Sequence, residues 1–202
     1  MKLALIGTHG VGKTTLVFEV ATLLKKADHN VELVTEVARR SPFPVNEATT
    51  LDGQLWILHA QIAAELEASA RARNVICDRA VLDNYCYLVN KFGRQPHLEQ
   101  WLEWWMGTYS MLVCVPPADS IAADGFRSED ATFQRRIHEL LILLLATPPF
   151  SRLKERVVFL ERREQRVWGE RIFAAVAPLL AKQEAAQRAL PIDVPAAAPG
   201  AD

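Results

Sequence analysis

The sequence contains few cysteines and no large excess of charge. Its three cysteines, Cys77, Cys86 and Cys114, are odd in number and far apart, which argues against a disulfide framework and a cysteine metal site. We expect them to be buried thiols. The formal net charge of -1 over 202 residues gives no general attraction to nucleic acid or to anionic membranes.

The sequence also lacks a long apolar run. The stretch "ELLILLLATPPF" is too short to span a bilayer and is broken by two prolines. The first residues are typical of a buried strand rather than of a signal peptide. Together these absences predict a cytoplasmic protein with no membrane and no nucleic-acid partner, and they leave the oligomeric state open.

Short apolar segments alternate with amphipathic ones along the chain. This alternation predicts a three-layer α/β fold, a five-stranded parallel sheet flanked by helices. Residues 1–183 form the expected domain, and the Pro/Ala-rich segment 184–202 is expected to be a mobile tail. Ligands of such sheets bind beyond the carboxyl ends of the strands, so polar residues at those ends are the first candidates for a site.

The strongest motif is "GTHGVGKT", which fits the phosphate-loop pattern G-x-x-x-x-G-K-[ST] without a mismatch. Loop amides and the start of the following helix attract phosphate, Lys13 reaches the β and γ phosphates, and the Thr14 hydroxyl is placed for Mg²⁺. His9 is either a tolerated side chain at the mouth of the loop or a ligand contact. The predicted nucleotide contacts are Gly7, Thr8, His9, Gly10, Val11, Gly12, Lys13, Thr14 and Thr15.

Charged residues follow two other predicted strands. Asp78 and Arg79 end the strand in "VICDRAVLDNY", where Asp78 could bind Mg²⁺ or cap the helix that begins near Val81. Glu36 ends the strand in "VTEVARR", where it could meet a substrate or pair with Arg40 on the surface. A guanine-reading motif is absent, because "NKFG" at 90–93 has no aspartate in the required place.

Five segments together resemble a known family. They are "GTHGVGKTTL", "TEVAR", "CDRAVLDNY", "DGFRSEDATFQRRIHELL" and "LERREQRV". In this order, over about residues 1–180, they are similar to the kinase domain of bifunctional nicotinamide-nucleotide adenylyltransferase/ribosylnicotinamide kinases and to their stand-alone AAA-like relatives. One departure is Glu161-Arg162-Arg163, where relatives often have a Gly-Ser or Gly-Asp pair, and it leaves the choice between ATP and GTP open.

The resemblance implies a P-loop NTPase fold with a helical lid and a kinase that uses ATP and Mg²⁺. Thr14 and Asp78 would hold the metal, Glu36 would be the general base, and Arg79 with the lid residues Arg127 and Arg136 would neutralise the transferred phosphoryl group. The acceptor would be nucleoside-, nucleotide- or ribosylnicotinamide-like, walled by the helix over 50–72 and by segment 83–87. Its predicted contacts are Glu36, Arg39, Gln54, Arg79 and Asp83.

A second hypothesis belongs to another class. A regulatory ATPase would carry the same phosphate loop but would couple hydrolysis to a protein partner. It predicts slow hydrolysis without a small acceptor and an exposed apolar patch. The Asp-Arg pair and the strand-end glutamate favour the kinase.

Overall fold

The computed structural model describes residues 1–117 and 131–188. The predicted alternation of strands and helices is confirmed. The strands are β1 (Lys2–Ile6), β2 (Val31–Val34), β3 (Asn74–Asp78), β4 (Met111–Cys114) and β5 (Val157–Phe159). The α-helices are α1 (Lys13–Lys26), α2 (Leu51–Arg71), α3 (Val81–Phe92), α4 (Pro96–Met106), α5 (Ala131–Ala146) and α6 (Trp168–Arg188). The predicted lid residue Arg127 lies outside the described residues.

The five strands form one parallel sheet in the order β2-β3-β1-β4-β5. In the register of this sheet Leu5 lies beside Asp78, and Ile6 lies beside Cys114. The phosphate-loop segment after β1 therefore starts between the ends of β3 and β4. This is the edge at which a doubly wound sheet binds its ligands.

Both faces of the sheet are buried, as the apolar strands predict. Leu3 and Leu5 of β1 point into a core formed with α1 and α6. Ala4 and Ile6 point into the opposite core, formed with α2, α3, α4 and α5. The alternation follows from strand geometry, in which successive side chains face opposite sides, and it gives the predicted three layers.

The last helix is preceded by a short 3-10 turn. This turn spans Arg162–Val167, and the Arg162 side chain donates to the carbonyl oxygens of Pro116 and Pro117 at 3.0 and 3.1 Å. Helix α6 ends at Arg188, and residues 189–202 of the expected tail lie outside the described residues. Over the described residues, every helix is too short or too polar to cross a bilayer.

Candidate active site

The phosphate loop connects β1 to α1 through three glycines with positive φ: 143° at Gly7, 71° at Gly10 and 91° at Gly12. Gly7 is required for space as well, because a Cβ at this position would lie 2.7 Å from the carbonyl oxygen of Val115. At Gly12 a Cβ would meet nothing within 4 Å, so only the backbone conformation favours glycine there. Backbone of this kind presents its N–H groups to an anion.

Lys13 is buried at the start of α1, directly after this loop. Its Nζ donates to the carbonyl oxygens of Gly7 and Thr8 at 2.8 and 2.5 Å. Burial, followed by the nearby positive charge of Arg79, lowers the pKa of Lys13 to about 8. The ammonium is therefore held at the loop with little water around it, and an incoming phosphate would favour its charged form.

Asp83 ties the loop to α3. Its Oδ1 accepts the N–H of Gly7 at 2.7 Å, and its Oδ2 accepts the N–H of Ala80 at 2.9 Å. Burial raises the pKa of this carboxyl, against the opposing charges of Lys13 and Arg79. Asp83 is the third residue of α3. By accepting the N–H of Ala80, the residue before the helix, it acts as a helix-capping side chain. It does not line the cavity described below, and its two oxygens join the loop to the start of α3.

Thr14 and Asp78 meet between α1 and the end of β3. The Thr14 hydroxyl donates to Asp78 Oδ2 at 2.5 Å. Asp78 therefore contacts the phosphate-loop helix, and the helix-capping role that the sequence left open for it is taken by Asp83. A hydroxyl and a carboxylate are the hard oxygen ligands that Mg²⁺ prefers, and this ion commonly uses only one or two of them from the protein. The pair thus fits a magnesium site.

Glu36 and Arg79 form a buried ion pair between the ends of β2 and β3. Arg79 Nε donates to Glu36 Oε1 at 2.7 Å, and both side chains are 5 % exposed. Arg39 adds a second contact, from its Nε to Glu36 Oε2 at 3.1 Å. Burial alone would lower the pKa of Arg79, but the Glu36 carboxylate keeps it well above its ordinary value. The arginine is therefore a permanent positive charge at this site.

A narrow cavity lies beside this pair and the phosphate loop. The centre of a water molecule can move within about 20 Å³ of this cavity. The cavity therefore has room for one water. A larger guest therefore needs the walls to move apart. The lining residues are His9, Glu36, Ala38, Val45, Asn46, Gln54, Ile57, Arg79, Asn84 and Tyr87.

Three polar groups of this wall lack a hydrogen-bond partner within the described parts of the chain. They are Gln54 Oε1, Asn84 Nδ2 and Arg79 Nη1, and all three residues are at most 4 % exposed. Gln54 is held by its other amide atom, which donates to Thr49 Oγ1 at 2.8 Å. Buried polar groups are rarely left unpaired, because each costs about 1–3 kcal/mol. The cavity thus offers one acceptor and two donors to a guest.

His9 belongs both to the phosphate loop and to the cavity wall. It is 1 % exposed, so it is buried rather than a surface side chain at the loop mouth. Its Nδ1 lies 3.1 Å from the Tyr87 hydroxyl, and its carbonyl oxygen accepts from Gln134 Nε2 at 2.8 Å. The ring of Phe133 packs 5.7 Å from the His9 ring. The first turn of α5 therefore rests on the phosphate loop.

The structure brings most of the predicted site residues together. Lys13, Thr14, Glu36, Asp78 and Arg79 gather at the carboxyl edge of the sheet, and Gln54 reaches the cavity from α2. Other predicted residues lie elsewhere. Arg39 contacts Glu36 but does not line the cavity, Arg136 is exposed on α5, and Thr15 is exposed on α1.

Comparison with known proteins identifies the family and the fold. The AAA domain family matches residues 2–163. No curated protein sequence matches the chain. A deoxyadenosine kinase from M. mycoides, solved with the products dCMP and dCDP, has a TM-score of 0.61 at 14% identity; the match covers 87% of this chain and 98% of that one. The same enzyme with bound dATP has a TM-score of 0.54 at 14% identity, covering 80% and 90%.

A NadR protein in complex with NR has a TM-score of 0.63 at 21% identity. Here the match covers 79% of this chain and 45% of that one, so the chain spans less than half of the NadR protein. At these low sequence identities, the structural matches show that the fold is shared. The resemblance drawn from the sequence motifs and the predicted P-loop fold are thereby confirmed.

Proposed function

The chain belongs to the AAA domain family, and from this premise we propose that it is an ATP- and Mg²⁺-dependent kinase. It transfers the γ-phosphoryl group in the cytoplasm to a hydroxyl or phosphate of a nucleoside-, nucleotide- or ribosylnicotinamide-like acceptor. The structural similarity to known kinases supports the general assignment of a nucleotide-binding P-loop kinase. The class of acceptor is proposed from the residues that line the cavity.

The observation that carries the proposal is the unpartnered polar lining of that cavity. Gln54 and Asn84 offer amide atoms from α2 and α3, whereas Glu36 and Arg79 offer charge from the strand ends. A guest with a hydrogen-bonding planar group at one end and a hydroxyl or phosphate at the other satisfies both sets.

The phosphate-loop residues hold the donor nucleotide. Lys13 and the loop amides bind the β and γ phosphates, while Thr14 and Asp78 hold Mg²⁺. The bound Mg²⁺ supplies charge neutralisation at the phosphates. The buried position of Lys13 strengthens its attraction to a phosphate oxygen, because little water competes for it.

Glu36 accepts the proton of the attacking hydroxyl. Its two oxygens accept from Arg79 and Arg39, which orient the carboxylate at the cavity wall. Arg79 fixes Glu36 through Nε and has Nη1 unpaired at the cavity. That N–H is available to an oxygen of the transferred group, for which a guanidinium is well suited.

An acceptor screen tests the proposal. Purified protein is incubated with Mg·ATP, with and without each of a panel of nucleosides, nucleotides and nicotinamide riboside, and ADP release is measured together with the phosphorylated product. We expect at least one compound to raise ADP release about tenfold or more and to be phosphorylated. Glu36→Gln should remove that increase, with Lys26→Gln, an exposed position on α1, as the matched control. A panel without any phosphorylated product would contradict the proposal.

One observation favours the regulatory ATPase as a second candidate. Trp104 and Leu66 are 66% and 57% exposed, and both line a groove with Met1 and Ser110 at the opposite edge of the sheet. This is an exposed apolar surface of the kind that a protein partner covers. In the same assay this function would give slow ADP release that no small acceptor increases.

A further inference from the structure

Arg79 has a backbone conformation that is unusual for its residue type. Its φ is 101°, in a region that side chains with a Cβ rarely adopt. Such a conformation is unfavourable and persists only where the surrounding structure enforces it. The guanidinium that contacts Glu36 therefore depends on contacts that hold its backbone.

Gln61 of α2 supplies such a contact. Its Nε2 donates to the carbonyl oxygen of Arg79 at 3.2 Å and to Glu65 Oε1 at 3.0 Å. Gln61 is fully buried and does not line the cavity. One amide group thus joins the peptide that follows Arg79 to a carboxylate one helical turn along α2.

Glu65 is itself fixed by three other donors. Lys2 Nζ lies 2.8 Å and Trp105 Nε1 lies 2.9 Å from Oε2, while the Tyr109 hydroxyl lies 2.5 Å from Oε1. These donors come from β1, α4 and the segment before β4, so the carboxylate is held from several elements at once. Because these donors fix the Glu65 carboxylate, its bond to Gln61 Nε2 also fixes the orientation of the Gln61 amide.

We propose that Gln61 is a positioning residue for the phosphoryl transfer. Anchored on Glu65, it holds the carbonyl of Arg79, so that the strained backbone aims the guanidinium at Glu36 and at the cavity. The inference rests on the proposed function for its kinetic part, whereas its structural part concerns Arg79 alone. Gln61, a buried amide outside the cavity, thereby orients the ion pair of Glu36 and Arg79.

The kinetic test compares two buried amides that each donate to a backbone carbonyl. Gln61→Met removes the donor to Arg79. Asn74→Leu is the matched control, because Asn74 lies at the other end of β3 and donates to Asn30 at 3.0 Å. With an acceptor found in the screen, we expect Gln61→Met to lower kcat about tenfold or more with the Kd for Mg·ADP unchanged. Asn74→Leu should keep the wild-type kcat.

The second measurement does not need activity. In ¹⁵N-arginine-labelled protein, the Nε–H of Arg79 should give a signal protected from exchange, because it donates to buried Glu36, and loss of the signal in Arg79→Lys would identify it. We expect the signal to shift and to exchange faster in Gln61→Met but not in Asn74→Leu. A signal identical to wild type in Gln61→Met overturns the proposal, even if the screen finds no acceptor.

A milder variant covers the case in which Gln61→Met does not fold. Lys2→Met removes one donor from the Glu65 carboxylate that holds Gln61, and Lys2 lies at the start of β1, at the other end of the sheet from the cavity. We expect the same direction of change, with a smaller fall in kcat and a smaller shift of the Arg79 signal. Wild-type values for both measurements in this variant would also overturn the proposal.

Discussion

The backbone N–H of Gly7 donates to Oδ1 of Asp83 across 2.7 Å. Through this bond the first glycine of the phosphate loop is attached to the start of α3, the same helix that presents Asn84 and Tyr87 to the cavity. The nucleotide loop and one wall of the cavity therefore share a rigid support. Its removal should affect both stability and nucleotide binding.

Asp83→Asn tests this support. The asparagine keeps one oxygen, so one of the N–H groups of Gly7 and Ala80 would face an amide NH₂ instead of an acceptor. We expect a loss of about 1–3 kcal/mol in the free energy of unfolding and weaker binding of Mg·ADP. Urea denaturation and an ADP titration measure the two effects. The exposed Asp52→Asn is the control, and equal values in the two variants would contradict the anchoring role.

Two glycine substitutions should differ in severity. Gly7→Ala places a Cβ 2.7 Å from the backbone oxygen of Val115, so β4 and the loop must separate. Gly12→Ala meets no atom within 4 Å, and only its φ of 91° is unfavourable. We expect Gly12→Ala to cost about 1–2 kcal/mol and Gly7→Ala to cost more and to abolish ADP binding. Thermal unfolding with and without Mg·ADP decides between them, and an equal loss in both would be contrary to this account.

Lys13 predicts a particular dependence of stability on pH. Its pKa is about 8 in the folded protein against 10.5 for an unperturbed lysine, so the unfolded chain binds more protons between these values. Stability therefore rises with pH in this window and is constant below it. Relative to Lys13→Met, the wild type should gain about 3 kcal/mol between pH 8 and pH 10.5. If the free energy of unfolding changed with pH in the same way in both proteins, the pKa of Lys13 would not be lowered by folding.

The same titration predicts how nucleotide affinity depends on pH. Only the charged form of Lys13 attracts phosphate, and in the free protein this form is lost as pH rises through about 8. The Kd for Mg·ADP should therefore increase above that pH. Calorimetric titrations at several pH values measure it, and a Kd that stays constant up to pH 10 would oppose the role of the lysine charge.

Gln54→Met separates guest binding from folding. The change removes an unpaired buried oxygen together with one bond to Thr49, and these effects on stability nearly offset each other. We expect the free energy of unfolding to stay within about 1 kcal/mol of wild type, while the KM of the acceptor rises about tenfold. The reverse pattern, lower stability with an unchanged KM, would make Gln54 a purely structural amide.

The sequence alone identifies those parts of the site whose chemistry is local or lies at strand ends. The phosphate loop is contiguous, so its pattern carries the whole prediction. Glu36, Asp78 and Arg79 follow strands that are neighbours in the sheet, and parallel strands bring such residues to one edge. The fold class was accessible for the same reason, since apolar strands alternate with helices along the chain.

The remaining features depend on tertiary packing. Asp83 and Asn84 are neighbours on α3, yet one anchors Gly7 and the other lines the cavity. Successive side chains of a helix point about 100° apart, and packing decides which of them faces the cavity. The contact of Gln134 with His9 and that of Gln61 with Arg79 join distant segments, and no local pattern announces either.

The cavity draws its amides from helices and its charges from strand ends. Under the proposed function, substitutions at two helical positions, Gln54 and Asn84, would change the preferred acceptor without altering the residues proposed to transfer the phosphoryl group. Paralogues that share the loop, the glutamate and the arginine but differ at these two sites should form a series of enzymes with divergent substrates and a common reaction.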